Sequence, residues 1–570
     1  MSSRATPTQY AVAALIALFL LIFLVIPVIT VIYVAFADGA GGFTLSHFSS
    51  FFHITLMRES FWNSLYVGFW SVLIASLIAI PLAYFTVRFE FRGALLIQTL
   101  GILPLIMPPF VGAVAMQLIF GRSGAVNLLL NEWFGFTLPI MEGLNGVIFV
   151  EALHYFPFIL MNLVVALNNI DSSMEESAQN LGASGFRLFR RIVFPLAMPG
   201  YVAGAALVFI KVFDDLGTPL VLNQTYMLAP QAYLRITSIG IEDPIGYVAS
   251  VIMVAASLFA LWASTWVMRG KDYATLQRGY AGLAKRRLSA WQTVFAYGWI
   301  ILVLLVVLAP HIGILLLSVA KLWSFTVVPE SYTAAHYATV LQDSPRMIWN
   351  TVLYCGIAAT LDVIIATAIA YIMLRTRIPG RQALDFTVTI ALAIPGVVLG
   401  IGYLRTFRGI EIPFTSELLT SSWLLLALAY TVRRLPYALR SCIAALQQMH
   451  VSLEEAAENL GASKGRTIRR IVVPLMAGGI LAGFIVSFMT AAVELSTTIM
   501  LVTAQNDAPM SYGIYLYMQS AAGRGPGAAL GVLAVALVAA GTYLSHRLIG
   551  RAGGAQPHQI QKLAVGRSDD

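Results

Sequence analysis

From residue 11 to residue 37 the chain carries no charged side chain. A stretch of roughly 18 or more apolar residues is long enough to cross a bilayer core as a helix. At that depth a helix bonds all of its own backbone groups, which an open strand or a loop cannot do. Charge-free runs recur at 61–87, 93–121, 244–268, 288–320, 386–404 and 525–545. Five more keep the length with one or a few charges in or against them: 143–169, 195–213, 347–374, 418–446 and 471–493, the last ending at Glu494. The sequence therefore predicts an all-α polytopic membrane protein with twelve transmembrane helices. Composition agrees, since 11% of residues are charged against about a quarter in soluble chains. The first run is too long for a cleaved signal peptide and reads as a retained span.

Charge orients these spans. With the N-terminus inside, cytoplasmic segments collect 23 of the 35 Lys and Arg, outer loops 8, and spans the remaining 4. That asymmetry follows the positive-inside rule, with both termini cytoplasmic. The net charge of +8 thus has a membrane explanation and implies no nucleic-acid partner. Cys355 and Cys442 form no spacing pattern and read as small buried hydrophobes. His47 and His53, six apart with no third ligand nearby, read as loop residues rather than a metal site.

The chain repeats itself. Trp62–Asn63 returns at Trp349–Asn350, Ala83–Tyr84 at Ala370–Tyr371 and Pro108 at Pro395, each 287 positions on. Further along the offset is 279, pairing Pro157 with Pro436 and Asp215–Leu216 with Glu494–Leu495. Six spans lie between copies, so the halves are parallel and define a pseudo-twofold axis along the membrane normal, a natural place for a substrate path. The expected organisation is a first half at 1–268, a basic cytoplasmic linker at 269–290, a second half at 291–550 and a cytoplasmic tail at 551–570.

Repetition is densest in a polar segment. "EESAQNLGASGFRLFRRIVFP" at 175–195 returns as "EEAAENLGASKGRTIRRIVVP" at 454–474, and 16 of the 26 positions from 175 to 200 are identical. Ser173 with Glu176, and Ser452 with Glu455, fit the capping box of a helix start. Gly182 and Gly461 suit the left-handed residue that ends a helix, and Ser184 and Ser463 suit a second cap. Arg187, Arg190 and Arg191, like Arg466, Arg469 and Arg470, fall on one helix face at i, i+3 and i+4. Pro195 and Pro474 are expected to break the chain before it re-enters the bilayer. A plain loop needs no glycine-hinged pair of helices. Two such elbows, both placed in the cytoplasm by the charge count, suggest two copies of one partner.

These residues resemble the E-A-A-x3-G-x9-I-x-L-P pattern of permease subunits in binding-protein-dependent ABC importers. It reads here as Glu176-Ser177-Ala178, Gly182, Ile192 and Pro195, then Glu455-Ala456-Ala457, Gly461, Ile471 and Pro474, with Ser177, Phe194 and Val473 as departures. The resemblance covers nearly the whole chain and is to the fused twelve-span branch similar to ferric-iron permeases. It implies a type I ABC importer permease fold in an inner membrane. It also implies coupling loops at Glu175, Glu176, Ala178, Gly182, Ala183, Arg187, Ile192 and Pro195, and again at Glu454, Glu455, Ala457, Gly461, Ala462, Arg466, Ile471 and Pro474. The implied partners are two ATP-binding subunits and a periplasmic solute-binding protein, and the implied cargo is ferric iron, or 2-aminoethylphosphonate or another small anion. No P-loop is present: the one Gly-Lys pair, Gly270–Lys271, is followed by Asp272, so the chain is not its own ATPase. No nucleophile–base pair, cofactor motif or metal spacing appears. A secondary carrier of six plus six spans has no need of such elbows.

Charges inside spans are costly and mark candidate sites. Arg433, Arg434 and Arg440 lie in one span, opposite His154 and Tyr155 of the other half. They either snorkel to the surface or line a translocation path for an anion or a chelated metal. Asp214, Asp215 and Glu494 fall at the outer ends of equivalent spans, either at the water boundary, with Lys211 able to pair with Asp215, or at the path's mouth. Glu151 and Asp362 are isolated acids.

Overall fold

The computed structural model describes residues 6–553 apart from 40, 91, 171, 269–286, 414 and 521. The linker expected at 269–290 and the tail at 551–570 lie largely outside those residues. The first half contains α1 (Pro7–Phe36), α2 (Thr55–Arg88), α3 (Ala94–Ile102), α4 (Pro109–Phe120) and α5 (Leu144–Asn168). It continues with α6 (Ser172–Asn180), α7 (Gly185–Asp214), α8 (Gly217–Val221) and α9 (Pro244–Met268). The second half contains α10 (Ala290–Val319), α11 (Pro345–Arg375), α12 (Arg381–Ala393), α13 (Gly396–Thr406) and α14 (Trp423–Gln448). It ends with α15 (Ser452–Asn459), α16 (Lys464–Leu475), α17 (Ala477–Ala492), α18 (Thr498–Leu501) and α19 (Arg524–Gly553).

Each half opens with the same local device. Thr6 and Gln9 close a capping box at the start of α1, and Ser289 and Gln292 do so at the start of α10, satisfying donors that a helix start leaves free. Among the described residues nine helices are long and apolar enough to span a membrane, or eleven if α12–α13 and α16–α17 each count as one bent span. The expected span at 418–446 is α14, 26 residues long, whose three arginines exclude it from that apolar count.

Two expected spans are interrupted. The run at 93–121 forms α3, a 3-10 turn at Leu103–Ile106 and then α4, with Met107 extended before Pro108. The run at 386–404 turns by 109° between α12 and α13 at Pro395, with Ile394 extended. The cause is the same in both: proline offers no amide to the helix and drives the preceding residue out of the helical region. Pro195 does not break its span. A π-helical turn at Phe189–Val193 precedes it, and the helix runs on through Asp214. In the second half the matching π turn is Ile468–Val472, and the chain bends by 68° after Leu475, just beyond Pro474.

The core of each half is a three-helix group, α2 with α5 and α7, and α11 with α14 and α17. The first spans are exchanged. α10 packs on α4 of the first half, whereas α1 packs on α13 and α11 of the second. The Tyr403 hydroxyl donates to the Phe23 carbonyl at 2.6 Å. Gly402 lets the two backbones meet, since a Cβ there would stand 2.7 Å from the Pro27 oxygen. This exchange ties the halves together through the apolar layer.

Candidate functional sites: repeated elbows and a buried charge cluster

Both elbows have one construction. α6 and α15 end in a Schellman turn. Gly182 N–H donates to Gln179 O at 2.8 Å and Ala183 N–H to Ala178 O at 2.9 Å; Gly461 to Glu458 and Ala462 to Ala457 measure 2.9 and 3.0 Å. The glycines sit at φ 84° and 83°, a left-handed geometry that glycine adopts without a Cβ clash. The expected capping boxes are not what starts these helices. α6 begins at Ser172 and α15 at Ser452, capped at Val451 without a side-chain bond, and the Ser452 hydroxyl bonds His450 Nδ1 at 2.7 Å. Ser184 and Ser463 occupy the second N-cap positions but make no capping bond.

Burial divides each elbow into an anchor and an outer face. Glu175, Ala178, Glu454 and Ala457 are buried, Ala183, Ala462, Ile192 and Ile471 half-buried, and Glu176, Glu455, Gly182, Gly461, Arg187 and Arg466 exposed. The anchor is an ion pair that the sequence reading missed. Arg88, at the end of α2, places Nη2 2.7 Å from Glu175 Oε1, and Arg375, at the end of α11, places Nε 2.6 Å from Glu454 Oε1. Arg375 also donates to the carbonyls of Leu446 and Met449 at 3.2 and 2.9 Å. These two arginines are 287 residues apart, the offset already seen in Pro108 and Pro395; that was the available signal. At each tip a leucine stands almost wholly in the open, Leu181 at 89% and Leu460 at 90% exposure.

The second constellation sits between the halves. Arg433 and Arg434, on α14, are 6% and 4% exposed, so neither snorkels. Arg433 reaches Asp214 Oδ2 with Nη2 and Glu494 Oε1 with Nη1, both at 2.5 Å, and Arg434 pairs with Glu494 Oε2. Asp214 also accepts the Gly396 amide, at the proline break that starts α13. Thr497 closes the group, donating its amide to Glu494 Oε1 at 3.1 Å and its hydroxyl to the Gly396 carbonyl at 3.2 Å. One guanidinium thus joins a carboxylate from each half in a dry setting, where breaking one partner out costs more than the pair contributes.

The remaining candidates separate. Arg440 is half exposed and meets Asp385 at 3.1 Å and the Thr389 hydroxyl at 2.6 Å. Asp215 does not pair with Lys211. Its carboxylate accepts the amides of Gly217 and Thr218 at 3.2 and 3.1 Å, while Lys211 lies near Tyr437 and Glu494. Asp362 is buried with neither oxygen hydrogen-bonded. Cys355 and Cys442 are buried free thiols, and His47 Nε2 bonds the Ala37 carbonyl at 3.0 Å. Among the described residues no group of three His, Cys, Asp or Glu is placed to hold a metal. Beyond the spans, Glu242 Oε1 lies 2.5 Å from both Arg405 and Arg408, a tie between halves. The hydrogen bond from Arg405 holds the Glu242 carboxyl below the usual range.

Comparison with known proteins gives the geometry a context. The family model "Binding-protein-dependent transport system inner membrane component" matches twice, at residues 75–273 and 362–552. Ferric transport system permease protein FbpB of Actinobacillus pleuropneumoniae is 29% identical over 466 residues, 79% of this chain and 65% of the relative. Putative ferric transport system permease protein FbpB 1 of Haemophilus influenzae is 29% identical over 458 residues, 78% of this chain and 70% of the relative. The chain therefore spans about two thirds of the length of these relatives. Molybdenum transport system permease protein ModB of Haemophilus influenzae is 30% identical over 211 residues, 36% of this chain but 91% of the relative.

Proposed function

The chain belongs to the family of binding-protein-dependent transport system inner membrane components, and from that premise we propose that it is the fused, two-half permease of an ATP-driven importer of ferric iron. The observation that carries the proposal is the doubling of one anchored elbow, each with a buried glutamate–arginine pair behind it and a bare leucine at its tip. An exposed leucine held on a rigid turn has no use in water and suits an apolar groove on a partner. Two identical tips suit two copies of an ATP-binding subunit, one per elbow. In this reading residues 1–268 and 291–550 are the halves, both termini and both elbows are cytoplasmic, and a periplasmic binding protein delivers cargo to the outer loops. Closure of the ATP-binding subunits pulls on the elbows. The pull passes through Arg88 and Arg375 into α2 and α11 and re-opens the path between the halves.

Ferric iron is favoured over an anion for two reasons. The two long relatives are named for ferric transport. The guanidinium groups that would suit an anion are already held by Asp214 and Glu494, so the cluster does not present free positive charge. The test is uptake of radioactive ferric iron into proteoliposomes containing this chain, its neighbouring ATP-binding subunit and its binding protein. Uptake should need all three components and ATP. Transport by this chain alone, or cysteine labelling that places position 181 or 460 outside the cell, would overturn the reading.

A further inference from the structure

The halves treat their equivalent carboxylates differently. In the second half Glu494 is neutralised by Arg433 and Arg434 from α14. At the equivalent positions on α5 the first half has His154 and Tyr155. Beside Asp215, the counterpart of Glu494, stands a further acid, Glu151, one turn before Tyr155. Glu151 is 1% exposed, and neither of its oxygens has a hydrogen-bond partner. The Thr218 hydroxyl, on α8, is fully buried and faces Glu151. Buried oxygens left unmatched are rare because each costs free energy. Glu151 stands within hydrogen-bonding reach of Asp215 and of the Thr218 hydroxyl, and Asp215 also accepts two backbone amides, so two carboxylates and a hydroxyl converge on one buried place, a donor set suited to a hard cation. The nearby charges offer none, since Arg433 and Arg434 are engaged and Lys211 lies by Tyr437 and Glu494.

We propose that Glu151, Asp215 and Thr218 form a transient binding site for a hard metal cation on the first half's side of the path. It takes the role in the first half that the arginines of α14 take in the second, with the positive charge supplied by cargo instead of protein. This rests on the importer reading for its physiological ion. Two carboxylates and a hydroxyl hold an oxygen-seeking cation loosely enough to let it pass, as conduction requires.

Terbium(III) is a suitable probe, a hard trivalent ion whose emission is sensitised by a nearby tyrosine. The full chain in neutral-lipid nanodiscs should show saturable sensitised emission. Glu151→Gln should weaken binding by about tenfold or more, the loss of one charge-assisted contact. Thr218→Val should weaken it less, and Tyr155→Phe should dim emission without changing affinity. Glu142→Gln, at an exposed outer position, should match the unaltered chain. Glu151→Gln should also melt no earlier than the unaltered chain, because it removes an unpartnered carboxyl; a merely structural acid would give a lower melting temperature. Terbium binding unchanged in both Glu151→Gln and Thr218→Val would overturn the site. If the unaltered chain imports no iron yet Glu151→Gln loses terbium, the importer reading fails and the site stands. If Glu151→Gln imports iron and binds terbium normally, the site fails and the importer reading stands.

Discussion

Replacing Glu454 by glutamine tests whether the elbows are held by their buried ion pairs or by general packing. The substitution keeps the side-chain shape and leaves Arg375 its two carbonyl anchors on Leu446 and Met449. What disappears is the charge-assisted part of the 2.6 Å contact, about 1.5–3 kcal/mol for a hydrogen bond to a charged group. If the ion pair orients the elbow, that energy leaves the docking equilibrium, and affinity for the ATP-binding subunit should fall by about 10- to 150-fold at this elbow. Arg375→Ala is harsher, because it strands Glu454, 6% exposed, and frees both carbonyls; the loss from breaking a buried pair is about 3–5 kcal/mol. The assay is binding of the ATP-binding subunit to nanodisc-embedded permease, read beside ATP-driven uptake. Arg375→Glu combined with Glu454→Arg should recover part of the affinity. Unchanged binding in both single variants would refute the idea that force enters the membrane domain through this contact.

Four further outcomes follow from the geometry. Gly182→Ala with Gly461→Ala forces a Cβ into left-handed backbone at φ 84° and 83°, at about 1–2 kcal/mol for each residue; hydrogen exchange should quicken in α6 and α15 and uptake should fall, whereas the asparagine variants should lose less. Leu181→Asp with Leu460→Asp, at tips 89% and 90% exposed, should leave stability within about 0.5 kcal/mol while abolishing ATPase stimulation, checked by melting and by hydrolysis rates. Arg433→Met takes the guanidinium from Asp214 and leaves Glu494 to Arg434 alone, so the folded chain should lose about 3–5 kcal/mol, and adding Asp214→Asn should restore part of the melting temperature. At the outer tie the Glu242 carboxyl is held below its usual range by Arg405, so its contribution is present above the ordinary glutamate value and is lost as pH falls through the lowered one. Glu242→Gln should remove that acid-side step from hydrogen exchange in the 235–243 loop.

Much of the architecture was legible because bilayer depth leaves a long apolar run few options other than a helix. The elbows were legible too, since a glycine between two short polar helices has a local reason, and Gly182 and Gly461 adopt the geometry that reason requires. Local reasoning failed where the deciding partner is distant. The serines that looked like caps at 173 and 452 lie inside their helices, and the actual anchors, Arg88 and Arg375, sit some 80 residues upstream, where they read as ordinary positive-inside charges. Pro108 and Pro395 were visible as a matched pair, but the apolar runs around them gave no hint that the chain turns there; hydropathy registers depth and is blind to direction. The arginines of α14 were found and their partners were not, because Asp214 and Glu494 are brought to them only when the two halves close against each other.

That closure also accounts for a single fused chain. In a symmetric pair of identical halves, whatever stands at one position faces the pseudo-axis twice. Two copies of the second half would present Arg433 twice with valine, Val493, at both positions equivalent to Asp214. Two copies of the first half would bring Asp214, Asp215 and Glu151 together in duplicate, with His154 and Tyr155 standing where the second half has Arg433 and Arg434. Either arrangement buries like charges at close range in a low dielectric, where their repulsion is strongest. Fusion allows the halves to diverge at equivalent positions, so one supplies the arginine and the other the carboxylate, and Arg433 can bond Asp214 across the axis while holding Glu494 on its own side. The elbows have not diverged in this way; in the importer reading each docks a separate copy of one partner, and nothing asks them to differ. Conserved tips and a divergent centre are what a machine with two equal inputs and one asymmetric passage requires.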